Sequence, residues 1–326
     1  MHVMVTGGAG FIGSHIVEFH LKKGDKVHVV DNLSTGVLDN IKPYLDSPDF
    51  HFTNDDILTM DHLARITTWA DRIYHFAAIV GMFRVVKDPI GVLATNIAGT
   101  ERLLRAIDDE NWTPQVVMAS TSEVYGHSPE PELAEDQVLH TPPSGKSLRW
   151  NYAISKLADE VLGLSYFQRK GIKIVVSRLF NTVGPRQTGK YGMVVPRFVS
   201  QAVNGEDLVI YGDGEQTRCF IDVRDTVRFL DLLGGNPQAH GEVVNVGYNR
   251  EVTINQLAEM TLELAGSKSK IRHITYDEAY GPGFVDIARR RPDVTKLARL
   301  SGFTPQWSLE DTLGDLIERY RKINRR

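Results

Sequence analysis

The chain has 326 residues, with 37 Lys and Arg against 41 Asp and Glu, a formal net charge of −4. Hydrophobic content of 42% beside 24% charged residues suits an ordinary globular protein, long enough for one large α/β domain or two intimate ones. The charge balance argues against a general nucleic-acid binder, and the single Cys219 excludes an intramolecular disulfide and a Cys-rich zinc site and points to a reducing compartment.

No run approaches the ~20 apolar residues that span a membrane, and MHVMVTGGAGFIG lacks the basic n-region of a signal peptide. A cytoplasmic protein is expected, with no membrane or nucleic-acid partner. The eleven histidines show no ligand spacing that demands a metal, so none is expected.

Up to about residue 180, short β-like runs alternate with helical patterns, as in a parallel α/β sheet. In chain order they are a strand at His2–Thr6, a helix at Phe11–Lys22, and strands at Lys26–Val30, His51–Thr53 and Arg72–His75. A helix at Asp88–Asp108, a strand at Gln115–Ala119, a helix at Leu148–Arg169 and a strand at Ile172–Ser177 follow. Residues 1–180 then form a Rossmann-type doubly wound domain, with right-handed crossovers. Beyond it the elements shorten and Gly, Pro and charge increase. Helical patterns at Val194–Asn204, Arg224–Gly234, Ile254–Ala265 and Leu309–Arg321 are broken by GDG, GNP and GPG turns. Residues 181–326 are read as a smaller mixed α/β substrate lobe. The boundary is soft, and some C-terminal elements are expected to return to the first domain.

Gly7-Gly8-Ala9-Gly10-Phe11-Ile12-Gly13 follows the first strand and opens the first helix. Dinucleotide binding needs a tight turn, a position without a side chain for the pyrophosphate, and a helix N-terminus whose N–H groups and dipole face the phosphates. Gly7, Gly10 and Gly13, with Phe11 and Ile12, fit that need. Asp31 ends the second strand 18 residues after Gly13, near the ~20-residue offset of a ribose-binding carboxylate. A carboxylate there accepts from a 2′-hydroxyl and repels a 2′-phosphate, favouring NAD over NADP.

Tyr152 and Lys156 lie four residues apart on a predicted helix and share a face. A tyrosine normally ionises near pH ~10. A neighbouring ammonium and a positive nicotinamide ring would lower that value, so Tyr152 would take a hydroxyl proton as hydride leaves the same carbon. Ser120-Thr121-Ser122-Glu123 follows the Gln115–Ala119 strand at the carboxyl edge where open α/β sheets bind ligands. Thr121 is the hydroxyl expected to share the substrate proton. The alternative is ordinary turn chemistry, with Glu123 a solvated cap.

Together these segments resemble the extended short-chain dehydrogenases/reductases that act as nucleotide-sugar epimerases, dehydratases and decarboxylases. The matching pieces are TGGAGFIG, VDNLSTG, His75–Ala78, Thr95–Thr100, ASTSEVYG, YAISK, Arg178–Arg186, VVPRF and Tyr211–Asp225, an ordered set covering essentially the whole chain. The resemblance implies bound NAD held by the glycine turn, by Asp31 and Asn32, by Asp56 and Ile57 at the adenine, and by Phe76, Ala77, Ala78 and Asn96 along the cofactor. It implies catalysis by Thr121, Tyr152 and Lys156. Asn181 and Arg218 would hold a nucleotide diphosphate, with Val195 beside the base. A homodimer through the two long helices is also implied. On those helices Leu93, Ile97 and Leu104, and Leu157, Val161 and Leu164, form apolar stripes whose plainer reading is packing on the sheet.

In that family oxidation at sugar C4 comes first, and the groups around the ketone decide the product. A 4,6-dehydratase carries Asp-Glu after the threonine. Here the pair is Ser122-Glu123, which disfavours dehydration. Thr-Ser-Glu, the Arg149-Trp150-Asn151-Tyr152 context and Arg290 resemble UDP-glucuronate decarboxylases, whereas Ile79–Arg84 resembles epimerases better. Arg84, Arg186, Arg289 and Arg290 could favour an acidic sugar, or pair with carboxylates on a solvated surface. Arg289 could also replace an arginine missing from Gly281-Pro282-Gly283. The leading expectation is a 4-epimerase of a UDP-hexose or UDP-hexuronate, the alternative a UDP-glucuronate decarboxylase. A non-catalytic NAD-binding scaffold is the reading from another class, and the intact Tyr152 and Lys156 count against it.

Overall fold

In the computed structural model, residues 1–110, 112–141, 150–189, 193–281 and 286–324 are described. Strands β1 (His2–Thr6), β2 (Lys26–Val30), β3 (Phe50–Thr53), β4 (Arg72–His75), β5 (Gln115–Thr121) and β6 (Lys173–Leu179) lie close to their expected positions. Helix α1 (Phe11–Lys22) matches its expected range, as α4 (Pro89–Asp109) nearly does. The next long helix, α5, is Asn151–Lys170, and the Leu148 and Arg149 of the expected helix lie outside the described residues. Two short helices precede α4, namely α2 (Leu63–Trp69) and α3 (Met82–Lys87).

The main sheet is wholly parallel, in the order β3-β2-β1-β4-β5-β6 with one further strand beyond β6. Strand order reverses between β1 and β4, and the crevice outside their carboxyl ends is where such sheets bind ligands. Both faces are covered, so the strands need near-continuous apolar runs. Val3, Val5, Val27 and Val29 pack on one side with α1, and Ile73, Val116, Ile174 and Val176 on the other with Leu103, Leu104 and Ile107 of α4. Local chemistry sets the helix ends. The Asp88 carboxylate accepts from Gly91 N at α4, where Pro89 supplies a preformed first turn. Gly171 closes α5 at φ +73°, a left-handed conformation that glycine adopts without strain.

After β6 the chain builds β7 (Asn181–Val183), α6 (Val194–Asn204), β8 (Leu208–Tyr211), β9 (Thr217–Asp222) and α7 (Val223–Gly235). These lead to β10 (Val243–Val246), β11 (Glu251–Thr253), α8 (Ile254–Ala265), β12 (Ile271–Ile274), α9 (Tyr276–Tyr280), β13 (Arg289–Arg290), α10 (Thr295–Ser301) and α11 (Leu309–Asn324). Strand β10 pairs in parallel with β6 and is the seventh strand of the main sheet, while Val227, Leu230 and Leu297 from α7 and α10 join its core. These elements thus return to the first half. A separate core gathers Val195, Phe198, Leu208, Leu257, Leu313 and Leu316 from α6, β8, α8 and α11. Strands β11, β9, β13 and β7 form a small mixed sheet.

Candidate active site

The glycine turn leaves β1 and enters α1 without a side-chain cap, so the first N–H groups of the helix stay open to an anion. Gly7 sits at φ +72°, and a β-carbon there would lie 2.7 Å from Ala77 N. At Gly13 a β-carbon would collide with the Gly7 carbonyl oxygen. Only glycine allows both the turn and the approach of helix to strand. The Asp31 carboxylate at the end of β2 accepts from Ala9 N (2.9 Å) and Leu33 N (2.8 Å), which ties the acid to the turn. Each carboxylate oxygen keeps a second lone pair for a ribose hydroxyl. Burial pushes the Asp31 carboxyl above its ordinary range, and those two N–H groups pull against it.

Asn32 donates to Asp56 (2.9 Å), and Asp56, expected with Ile57 to line the adenine, also accepts from Leu58 N. Ile57 beside them is buried. Phe76 N and Ala77 N both donate to the Thr6 hydroxyl oxygen at 3.2 Å, which holds the β4 exit, just before Ala78, against β1. Asn96 on α4 accepts from Ile79 N (2.8 Å) and donates to Ser155 Oγ (3.1 Å), locking that exit to α5. Glycine cradle, open helix end, ribose acid and lined crevice together fit a dinucleotide.

Thr121 ends β5 and its hydroxyl accepts from Glu123 N, starting a short turn at 122–125. Tyr152 and Lys156 face it from the first turns of α5. The Tyr152 phenol is held above its ordinary range by burial, then by the charges of Glu123 and Asp159, with a hydrogen bond from Thr121 pulling it down. The depressed value expected from sequence relied on the neighbouring ammonium together with a positive nicotinamide ring; Lys156 Nζ donates to Asp159 Oδ2 at 3.1 Å, and both residues are buried.

Strand alternation sorts the arginines. Arg290 pairs in register with Arg218, and Arg289 with Thr217, so Arg290 and Arg218 share one face of the small sheet and Arg289 takes the other. Arg290 Nη1 stands 3.6 Å from Glu123 Oε1. Arg218 is buried, donating to Asp286 Oδ2, Thr217 O and Ile287 O at 2.8 Å each. Asn181 donates to Cys219 O beside it (3.0 Å). The other three arginines are engaged elsewhere. Arg289 makes a bidentate pair with Glu251. Arg186, at φ +69°, pairs with Glu18 and Ser14 on α1. Arg84 reaches the Ser34 carbonyl on the cofactor side of the crevice. The Val195 side chain lies in the lobe core, leaving only its backbone for a base. Pro282 and Gly283 of the turn that lacks an arginine lie outside the described residues.

Sequence reasoning missed Asp159 and Glu160. Glu160 accepts from Arg178 through two bonds (2.9 and 2.8 Å) and from Ser120 Oγ (2.5 Å), pinning α5 to β5 and β6. Of the stripe Leu157, Val161 and Leu164, for which packing on the sheet was the plainer reading beside helix pairing in a dimer, Leu164 packs against the sheet core, Val161 is exposed, and the buried face of α5 is Ala153, Ser155, Lys156, Asp159, Glu160 and Gly163. The available signal was spacing: both acids fall three and four residues after Lys156 and share its face. Among the described residues, no group of histidines, acids or Cys219 could hold a metal, and no helix is long and apolar enough to cross a membrane.

The family model described as GDP-mannose 4,6 dehydratase matches residues 4–316. A UDP-N-acetyl-alpha-D-glucosaminuronate decarboxylase of Bacillus cytotoxicus is 36% identical over 98% of this chain and 98% of its own length. UDP-glucuronic acid decarboxylase 1 of Xenopus tropicalis is 35% identical over 98% of this chain and 72% of its own. The UDP-glucuronic acid 4-epimerase of Bacillus cereus, solved with UDP-glucuronic acid and NAD, superposes with TM-score 0.86 at 29% identity, over 99% of this chain and all of that one. Fold, cradle and relatives converge: the chain belongs to the extended short-chain dehydrogenase/reductase family of NAD-dependent nucleotide-sugar epimerases, dehydratases and decarboxylases.

Proposed function

We propose that the protein is a decarboxylase of a UDP-linked hexuronate, UDP-glucuronate or its 2-acetamido counterpart. The observation that carries this reading is Glu123 facing Tyr152 with Arg290 3.6 Å behind it, one acid and one cation beside the candidate base. The names of the two decarboxylase relatives support it. This reverses the order expected from sequence, where epimerisation led.

Bound NAD supplies a hydride acceptor at C4 that later returns the hydride. Tyr152 takes the C4 hydroxyl proton with Thr121 sharing the hydrogen bond, and Lys156 supplies positive charge to that face. With a ketone at C4 the sugar is a β-keto acid. Its C5–C6 bond breaks, carbon dioxide leaves, and the bonding electrons pass to the C4 oxygen, where Tyr152–OH returns a proton. C5 then takes a proton, Glu123 being the acid placed to relay it, while the enol proton goes back to Tyr152; as C4 is reduced, Tyr152 gives that proton to the C4 oxygen of the pentose. Arg290 balances the charge of the substrate carboxylate and of Glu123.

A 4-epimerase is the second reading. The Bacillus cereus neighbour, which binds a UDP-hexuronate, favours it. The holoprotein should convert UDP-glucuronate or UDP-N-acetylglucosaminuronate to a product lighter by one carbon dioxide. Glu123→Gln or Arg290→Met should cut that conversion by ~100-fold or more, the scale of losing one electrostatic stabiliser, while reduction of bound NAD persists. A product of unchanged mass and inverted C4 would replace this reading with the second. A cytoplasmic, homodimeric enzyme is part of the same proposal.

A further inference from the structure

We propose that Asp159 is a positioning residue for the Tyr152–Lys156 pair: a buried counter-charge that holds the Lys156 ammonium and limits how far it favours a Tyr152 phenolate and disfavours an oxidised nicotinamide. The inference rests on the catalytic assignment of Tyr152 and Lys156 given above.

Lys156 is 3% exposed and Asp159 2%, with 3.1 Å between nitrogen and oxygen. An ammonium buried this deeply needs a counter-charge. The other groups facing the pair are neutral or committed elsewhere. Glu160, next in the chain, is held by Arg178 and Ser120. Glu123 faces Tyr152 and is answered by Arg290. His75, at the end of β4, is buried and neutral, its pKa lowered to about 3 by burial and then by the Lys156 charge.

The hydrogen bonds order this neutral chain. Thr6 Oγ1 already accepts from Phe76 N and Ala77 N, so its one proton goes to His75 Nδ1 (2.8 Å). That fixes the proton of His75 on Nε2, which donates to Thr100 Oγ1 (3.1 Å). The Thr100 hydroxyl, its acceptor role taken by His75, is left to donate toward the Asp159 carboxyl. Polar groups thus run from the cofactor-lining backbone of β4 to the lysine, with Asp159 supplying the negative charge. Burial pushes the Asp159 carboxyl up, while Lys156 and Thr100 pull it down.

Removing the Asp159 charge leaves Lys156 uncompensated. The phenolate is then favoured, and the positively charged oxidised nicotinamide is repelled while the neutral reduced form is not. In Asp159→Asn the affinity ratio of NAD to NADH, measured by titration calorimetry, should fall about ten-fold. The acid limb of the kcat–pH profile should move down by about one unit, the low end of what a charge within ~4–6 Å produces. Asp159→Glu should restore both. Asp159→Ser removes the charge but leaves room for water, and serves if the asparagine variant does not fold. Equal weakening of both cofactor forms with an unmoved acid limb, in either folded neutral variant, would overturn the proposal. The affinity ratio needs no turnover, so it decides on Asp159 even where Tyr152→Phe stays active and the catalytic assignment falls.

Discussion

Tyr152 starts from an unfavourable position for a base. Burial, Glu123 and Asp159 all raise its proton affinity, with the Thr121 bond opposing them. The phenolate therefore needs the positive charges of Lys156 and the oxidised nicotinamide to form, which couples proton removal to a loaded cofactor site. Tyr152→Phe keeps the ring packing but deletes the proton acceptor. It should lower kcat by ~100-fold to 10,000-fold, the usual scale of a positioned acid–base group, with NAD still bound. Steady-state kinetics on the purified holoprotein, with cofactor content read from absorbance, checks this. Turnover within ten-fold of the parent would remove Tyr152 from the chemistry.

The elements were legible where one residue type has one physical meaning. The valine-rich runs at His2–Thr6 and Lys26–Val30 could only be strands covered on both faces, and the glycine turn between β1 and α1 needed no tertiary information. Short elements such as α2 and β13 were not legible, because their stability comes from neighbours distant in sequence. At the site, Thr121, Tyr152 and Lys156 are set by local spacing, and the structure gathers them at the end of β5. Which arginine faces the site was beyond the sequence, since Arg289 and Arg290 differ only by strand alternation. The outward face of α5 was only partly legible for a related reason: periodicity locates a stripe without saying what covers it. Leu157 packs with Val124, Tyr125 and Phe180, while half-buried Leu93 and Ile97 on α4 and exposed Val161 on α5 lie outside the core clusters. Such apolar surface suits helix pairing between two copies of the chain. Sedimentation velocity at micromolar concentration should give a dimer that Val161→Glu dissociates, and a single species of 36.5 kDa in the parent would contradict the pairing.

Across the whole molecule, polar groups buried at the seams between elements carry a pH dependence. His15, which bonds the Pro185 carbonyl, and His75 have pKa values lowered to about 4 and about 3, chiefly by burial. Both are neutral in the folded protein, while the unfolded chain binds their protons near pH ~6.5. Their contribution to stability is thus fully present above pH ~6.5 and is lost as pH falls toward 4. The slope is about 1.4 kcal/mol per pH unit for each histidine. Asp31 and Asp159, whose carboxyls are raised, act in the opposite direction as they protonate. Urea unfolding at pH 7 and pH 5 isolates one group by comparison. His15→Gln should flatten the dependence by about one proton, and an unchanged slope would show that His15 is not buried neutral.

The proposed decarboxylation requires the C5–C6 bond of the substrate to break, and the account stands or falls on whether it does. UDP-glucuronate and UDP-N-acetylglucosaminuronate labelled with carbon-13 at C6 should be incubated with the holoprotein and followed by NMR. Labelled carbon dioxide or bicarbonate should appear in step with a UDP-pentose. Label retained in a hexuronate epimerised at C4 would contradict the account.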